Sequence, residues 1–409
     1  MLSRLWLFFI LSAFIAACYQ ALFNQQAGTF QDVMDAVTAM ATLSVEIAIG
    51  LIGVLAFWLG IFRVAEQSGI VDKMARVLSP FLRRVMPEIP KHHPALGSIT
   101  MNMSANILGL DNAATPFGIK AMQDMQTLSP KKDILTNSQI LFLVLNTSSV
   151  TLFPIAVFLY RAEQGAANPT DVFIPILLAT SASTLAGLIV TCLVQRVNLL
   201  NKVVLLYLGA AFAILSAIVL YFGQLASDVL AEQSAVVANV LLFSFIVVVL
   251  IAGWRRQVNC YEEFVEGAKK GFEVAISLIP YLIAMLIAIG MLRASGLMEL
   301  ITQSIAGLVA FVGADTRFVD ALPTALMKPL SGSGARAMMI ETMQYHGADS
   351  FAGRLASVLQ GSTETTFYVL AVYLGAVGVR HARHAVACCL TADAAGITAA
   401  IAVSYWFFG

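Results

Sequence analysis

Long apolar blocks alternate with short polar connections along the chain. Blocks at 5–23, 43–62, 138–160, 172–195, 203–224, 235–253, 275–292, 355–375 and 385–407 each have the length of a membrane-crossing helix, which takes about 18 or more largely apolar residues. Two further apolar stretches, near 95–118 and 320–340, are interrupted by Gly, Pro and polar residues. Irregular backbone at membrane depth is tolerated only where protein or a wet cavity satisfies it. These two stretches are therefore expected to be re-entrant or broken helices. The predicted fold is an all-α polytopic membrane protein with about nine spanning helices.

Lys and Arg orient the spans, because cytoplasmic loops carry their excess. The 63–94 connection holds Arg63, Lys73, Arg76, Arg83, Arg84 and Lys91. Counting spans from there puts Arg196, Lys202, Arg255, Arg256, Lys269, Lys270, Arg380 and Arg383 on the same, cytoplasmic side. Arg293, Arg317 and Arg354 then face outward. At the N-terminus, Ile15-Ala16-Ala17-Cys18 resembles a lipoprotein cleavage site, but the apolar run continues through Phe23 and favours an uncleaved helix.

The two halves of the chain match each other. "FQDVMDAV" (30–37) pairs with "YEEFVEGA" (261–268), and "GIFRVAEQSG" (60–69) with "GMLRASG" (290–296). "LVLNTSSVTLFPIAVFLY" (143–160) aligns without gaps on "SVLQGSTETTFYVLAVYL" (357–374), with Ser148/Ser362, Thr151/Thr365 and Phe153/Phe367 identical. The 43–62 span runs inward and its match, 275–292, runs outward, so the repeats are expected to be inverted. The 203–224 span has no match and would flip the second half. Inverted repeats with discontinuous helices are a recurring plan of secondary transporters, with the site near the midplane between repeats.

Composition narrows the function classes. The chain has 409 residues, 59% hydrophobic and 12% charged, with zero net charge; soluble domains carry roughly 25% charged residues. There is no basic footprint for nucleic acid. The cysteines Cys18, Cys192, Cys260, Cys388 and Cys389 form no CxxC pair, and the histidines lack ligand spacing. No GxSxG, Walker loop, HExxH or dinucleotide fingerprint is present. Neither an enzyme nor a resident metal or cofactor is expected. The expected partners are a small solute and the bilayer, with a coupling H+ or Na+ and a homo-oligomer as further possibilities.

Candidate chemistry lies in the interrupted segments. "ITMNMSANILGLDNAATPFG" (99–118) carries Asn102, Ser104, Asn106, Asp111 and Asn112; its counterpart "ALMKPLSGSGARAMMIE" (325–341) carries Ser331, Ser333 and Arg336. A broken helix exposes unpaired N–H groups at one end and C=O groups at the other, suited respectively to anionic and cationic groups. Asn146, Thr147 and Ser148 fall inside one predicted span, and Gln360, Ser362, Thr363, Glu364 and Thr365 inside the matching one. Glu364 stands out, since a carboxylate at that depth usually faces a cavity or a base. Arg336 is expected to pair with Glu341 or Glu364, or to hold an anionic solute. Glu46 and Asp393 are weaker candidates for coupling.

These runs resemble two known families. "FWLGIFRVAEQSGIVDKMARVLSPFL", "HPALGSITMNMSANILGLDNAATPFGIKAM" and "LNTSSVTLFPIAVFLYR" are similar to the spore maturation protein A family. "YEEFVEGAKKGFEVAISLIPYLIAMLIAIGMLRASG", "PLSGSGARAM" and "GRLASVLQGSTETTFYVLAVYLGAVGVR" are similar to the B family. The resemblance implies a fusion: an A-like repeat over 1–196, a joining helix and loop over 197–234, and a B-like repeat over 235–409. It also implies membership of a broader group named for a nucleoside-recognition or gate domain, with relatives among nucleoside transporters and iron permeases. The expected function is a secondary transporter in the bacterial cytoplasmic membrane for a small polar or anionic, nucleoside-like metabolite. The alternatives are a non-transporting envelope scaffold or receptor, and, third, an ion channel.

Overall fold

The computed structural model describes residues 2–24, 28–109 and 111–409, without the side chains of residues 2, 3, 5 and 111–113. The first half comprises α1 (Leu2–Phe23), α2 (Thr29–Gln67), α3 (Ile70–Val85), α4 (Pro94–Leu108), α5 (Asp111–Gln126), α6 (Asn137–Thr147), α7 (Ile155–Glu163) and α8 (Phe173–Val194). A lone helix follows, α9 (Lys202–Gly223). The second half repeats the order: α10 (Ser227–Arg255), α11 (Cys260–Ala294), α12 (Leu297–Phe311), α13 (Leu322–Met327), α14 (Gly332–His346), α15 (Phe351–Gly361), α16 (Thr366–Val377) and α17 (Ala385–Phe408). The protein is a nearly all-helical, multi-pass membrane protein.

Seven helices (α1, α2, α8, α9, α10, α11 and α17) are long and apolar enough to cross a bilayer. The other two expected spans are each divided. Residues 138–160 split into α6 and α7, and residues 355–375 into α15 and α16. The cause of the first break is local. Ser148 and Thr147 turn their hydroxyls onto the Val144 carbonyl, which competes with helix continuation. Pro154 then bars the helical conformation at the preceding residue. In the second break, Gly361 and Ser362 are weak helix formers, and the Ser362 hydroxyl bonds back to the Leu359 carbonyl. Both breaks start at the aligned pair Ser148/Ser362.

The interrupted stretches are helical hairpins. In the first, α4 begins with Pro94 at its first turn and ends at Gly109, whose φ of 75° reverses the chain. Helices of 15 and 16 residues are too short to cross individually. Their open ends are tied by Ser98 donating to Asp124 (2.5 Å) and by the His93–Thr127 contact (3.2 Å). The second hairpin is α13 and α14, joined through Lys328–Ser331, where the Ser331 hydroxyl accepts from the Gly334 amide (3.0 Å) and caps α14.

Matched helices cross each other in antiparallel pairs. Along α2 and α11, Gly60 approaches Phe264, Ala56 approaches Gly271, and Ala36 approaches Gly290. A Cβ on Gly271 would lie 2.6 Å from the Ala56 nitrogen, and one on Gly267 would lie 2.8 Å from the Gly60 Cα. Backbones this close need small residues, the same packing that drives membrane helices together. On α8 and α17, Gly187 meets Ala392 and Gly396 meets Ser183, whose hydroxyl donates to the Ala392 carbonyl (2.9 Å). An antiparallel crossing of equivalent helices places a pseudo-two-fold axis across them, the geometry of inverted repeats. By contrast, α9 buries only Val204 and Phe222.

The two ends differ in charge. At one end, Arg383 donates to the Leu135 carbonyl (3.0 Å), and Arg380 and His381 donate their amides to the Asp133 carbonyl (both 3.1 Å). Arg83, Arg84 and Arg196 line a cavity of about 330 Å³ nearby. At the other end, fully buried Arg161 donates to Asp171 (2.9 Å), Asp349 (3.1 Å) and the Ala348 carbonyl (2.8 Å), while Arg354 donates to Asp171 (2.8 Å). At both ends, the loop after one half's hairpin is bonded to the end of the other half's divided helix.

Thermal unfolding in detergent tests this packing through three variants. Gly271→Leu is expected to cost about 1–3 kcal/mol by overpacking. Gly53→Leu, on α2 with nothing within 4 Å of a built Cβ, should be near neutral. Arg161→Leu leaves Asp171 buried with only one of its two arginine partners, and is expected to cost about 3–5 kcal/mol. Unchanged melting of either Gly271→Leu or Arg161→Leu would contradict the packing described.

Candidate functional site

The breaks of the two halves meet. The Glu364 amide donates to the Thr147 carbonyl (2.8 Å), so the start of one break completes the end of the other half's α6. Each break is also held by its own hairpin. The Leu152 amide donates to Ile107 of α4 (2.8 Å), and the Phe367 amide donates to Pro329 of the second hairpin turn (3.0 Å). Gly109 lies against the Phe153 carbonyl, and Gly332 against the Thr365 hydroxyl. Two hairpin turns and two half-helix junctions are thus brought to one place, satisfying backbone that lipid could not.

In the first half the polar side chains satisfy one another. The Asn106 amide donates to Asn146 Oδ1 (2.9 Å) and to Asn102 Oδ1 (3.4 Å). Asn102 donates to the Ala114 carbonyl across the hairpin (2.7 Å), and Asn146 donates to the Phe142 carbonyl (2.8 Å). Tyr373 of α16 donates its hydroxyl to Asn146 Oδ1 (3.4 Å), joining the second half to this network. Ser104 turns back on its own helix, to the Thr100 carbonyl (2.7 Å). Thr184 of α8 donates to the Ser148 carbonyl and so closes the break. Asp111 and Asn112 lie outside the described side chains.

The second half is different. Gln360 Oε1, Thr363 Oγ1 and Asp393 Oδ1 are buried and have no hydrogen-bond partner. Asp393 accepts one bond, from Thr366 (2.7 Å), through its other oxygen. Ser331 caps α14 and contacts Ser333 (3.2 Å). Thr365 begins α16 without capping it. Glu364 is half-buried, and among the described residues no hydrogen bond or ion pair reaches its carboxylate. Lys328, on the hairpin turn, is buried and within electrostatic reach of Asp393.

Arg336 does not pair with Glu341 or Glu364. Glu341 is taken by Arg293, which donates to it through Nε and Nη2 and also reaches Glu299 (2.8 Å). Arg336 instead lies 5.4 Å from the Tyr160 ring centre of α7. Five residues along α14 turn the two side chains about 140° apart, so Glu341 meets Arg293 of α11 while Arg336 meets Tyr160 of α7. Glu46 lines two surface cavities, with Asp35 and with Glu163, away from the breaks.

Tyr373 and Thr184 are polar neighbours of the breaks that the sequence reading did not single out. Tyr373 is one aromatic in an apolar span and gives no local signal. Thr184 and Asp393 did have one. "STLAG" (183–187) and "ADAAG" (392–396) place them three residues before the crossing glycines Gly187 and Gly396.

The nucleoside recognition (gate) family matches residues 48–163 and 275–380, together more than half of the chain. Spore maturation protein A of Bacillus subtilis is 44% identical over 163 residues, which are 40% of this chain and 83% of that protein. Spore maturation protein B of the same organism is 44% identical over 161 residues, 39% of this chain and 89% of that protein. Each accounts for about two fifths of the chain, as a fusion of the two requires. No solved structure matches significantly. Each matched segment of the gate family begins within one of the antiparallel long helices, α2 or α11, and runs through the hairpin to the end of the divided helix: the chain belongs to the nucleoside recognition (gate) family and is homologous to spore maturation proteins A and B.

Proposed function

We propose that the protein is a secondary transporter of the bacterial cytoplasmic membrane, carrying a small polar or anionic, nucleoside-like solute through an elevator or gate-like movement. The observation that carries this reading is the meeting of two inverted helix breaks beside three buried, unpartnered polar atoms. In this reading Glu364, Asn106 and the α14 N-terminus with Ser331 and Ser333 offer the solute its polar contacts at that junction. Backbone breaks in lipid are costly, and a purely structural protein has no need of two aligned ones. The family's description supports a nucleoside-like solute, and Arg336, free of a carboxylate partner among the described residues, supports an anionic one.

A second reading, a non-transporting scaffold, draws on the closed Asn102–Asn106–Asn146–Tyr373 network, which by itself is interhelical glue. The two readings separate in proteoliposomes. Saturable flux of at least one solute from a panel of nucleosides, nucleobases and small organic anions is expected. Glu364→Gln is expected to lower flux about tenfold, the loss of one hydrogen bond to a charged group, with little change in melting temperature, whereas Asn106→Ala should lower flux and also cost about 1–3 kcal/mol of stability through its lost bonds to Asn146 and Asn102. No flux and no solute-dependent thermal shift across the panel would favour the scaffold.

A further inference from the structure

We propose that the second break binds a monovalent cation of the size of Na+, held by Asp393, Thr363 and Thr366 at the carbonyl end of α15. As a coupling ion it rests on the transport reading; as a bound ion it does not.

The two halves treat equivalent positions differently. Thr184 and Asp393 are matched by the crossing glycines that follow them, Gly187 and Gly396. In the first half Thr184 is a donor, and it fills the Ser148 carbonyl at the break. In the second half a carboxylate stands at that place. It cannot donate to the aligned Ser362 carbonyl. The first break is closed internally, while the second gathers acceptors.

Those acceptors are close together and dry. Asp393 is 2% exposed and Thr363 4%. Thr366 donates to Asp393 Oδ2 (2.7 Å), leaving Oδ1 without a partner, and Thr363 Oγ1 also lacks one. A Cβ built on Gly396, one turn from Asp393, would lie 2.8 Å from the Thr363 methyl, so Thr363 and Asp393 share one face of the α15–α17 contact. Helix α15 ends at Gly361, two residues before Thr363, so its carbonyl end, with its partial negative charge, lies at this break. A buried carboxylate oxygen needs a direct partner as well as charge compensation. Lys328 is within electrostatic reach but does not bond to Oδ1.

The donor set selects the ion. It is all oxygen: one carboxylate, hydroxyls and carbonyls. Hard cations take such ligands. With one carboxylate, and no cluster of three acidic, His or Cys side chains among the described residues, a divalent ion is poorly compensated and a monovalent one is matched.

The test uses the full chain in detergent without solute, comparing NaCl with choline chloride at constant ionic strength. NaCl should raise the melting temperature saturably by about 2 °C or more, and 22Na+ should bind. Asp393→Asn, which keeps the acceptor for Thr366, should abolish both effects. Thr363→Val should weaken the apparent Na+ affinity about tenfold, an expected loss of about 1.4 kcal/mol. The proposal is overturned if wild type binds no 22Na+, if Asp393→Asn retains the Na+ response, or if acidification alone reproduces the stabilisation, which would place a proton at Asp393. Absence of Na+ binding leaves solute flux to be judged separately, and absence of flux leaves a Na+ response standing.

Discussion

The hydrogen bond from the Glu364 amide to the Thr147 carbonyl joins the two places where this chain stops being helical inside the membrane. A break in lipid exposes backbone groups that only protein can satisfy. Here each half supplies what the other lacks. Hairpin turns add the remaining partners through Ile107 and Pro329. The Glu364–Thr147 bond draws its two partners from different halves, so the junction seen here requires both repeats.

The placement of the repeats is set by small residues elsewhere. Gly60, Gly267 and Gly271 let α2 and α11 cross at backbone contact, and Ser183, Gly187, Ala392 and Gly396 do the same for α8 and α17. These two crossings frame the breaks. The chemistry at the centre is nevertheless unequal. Asn102, Asn106 and Asn146 of the first half bond to one another and to Tyr373 of the second, whereas Gln360, Thr363 and Asp393 of the second half keep unsatisfied oxygens. Backbone symmetry fixes where the breaks meet, and side-chain asymmetry distinguishes the two sides of that junction.

Much of this was legible in the sequence because bilayer constraints act on long stretches. The spans, the hairpin character of 95–118 and 320–340, and the inverted order all follow from length, Lys and Arg placement and repeated motifs. The polar runs at 146–151 and 360–366 were visible as chemistry but not as breaks, because their flanks keep the hydropathy of one continuous span. The pairing of Glu341 with Arg293 rather than Arg336 was out of reach. It depends on which face of α14 meets α11, and periodicity in an evenly apolar helix does not encode that. Tyr373 was hidden for the same reason.

Helix α9 contributes little buried surface: Tyr207 touches α3, Val204 is buried, Phe222 packs on Phe407, and most of the rest faces outward. The cohesion between halves lies in the α2/α11 and α8/α17 crossings and in the Arg161 cluster. The joining helix therefore works chiefly in synthesis. It reverses the direction in which the second half is threaded and guarantees one copy of each half per product. Stoichiometry, rather than stability, is what the continuous chain secures.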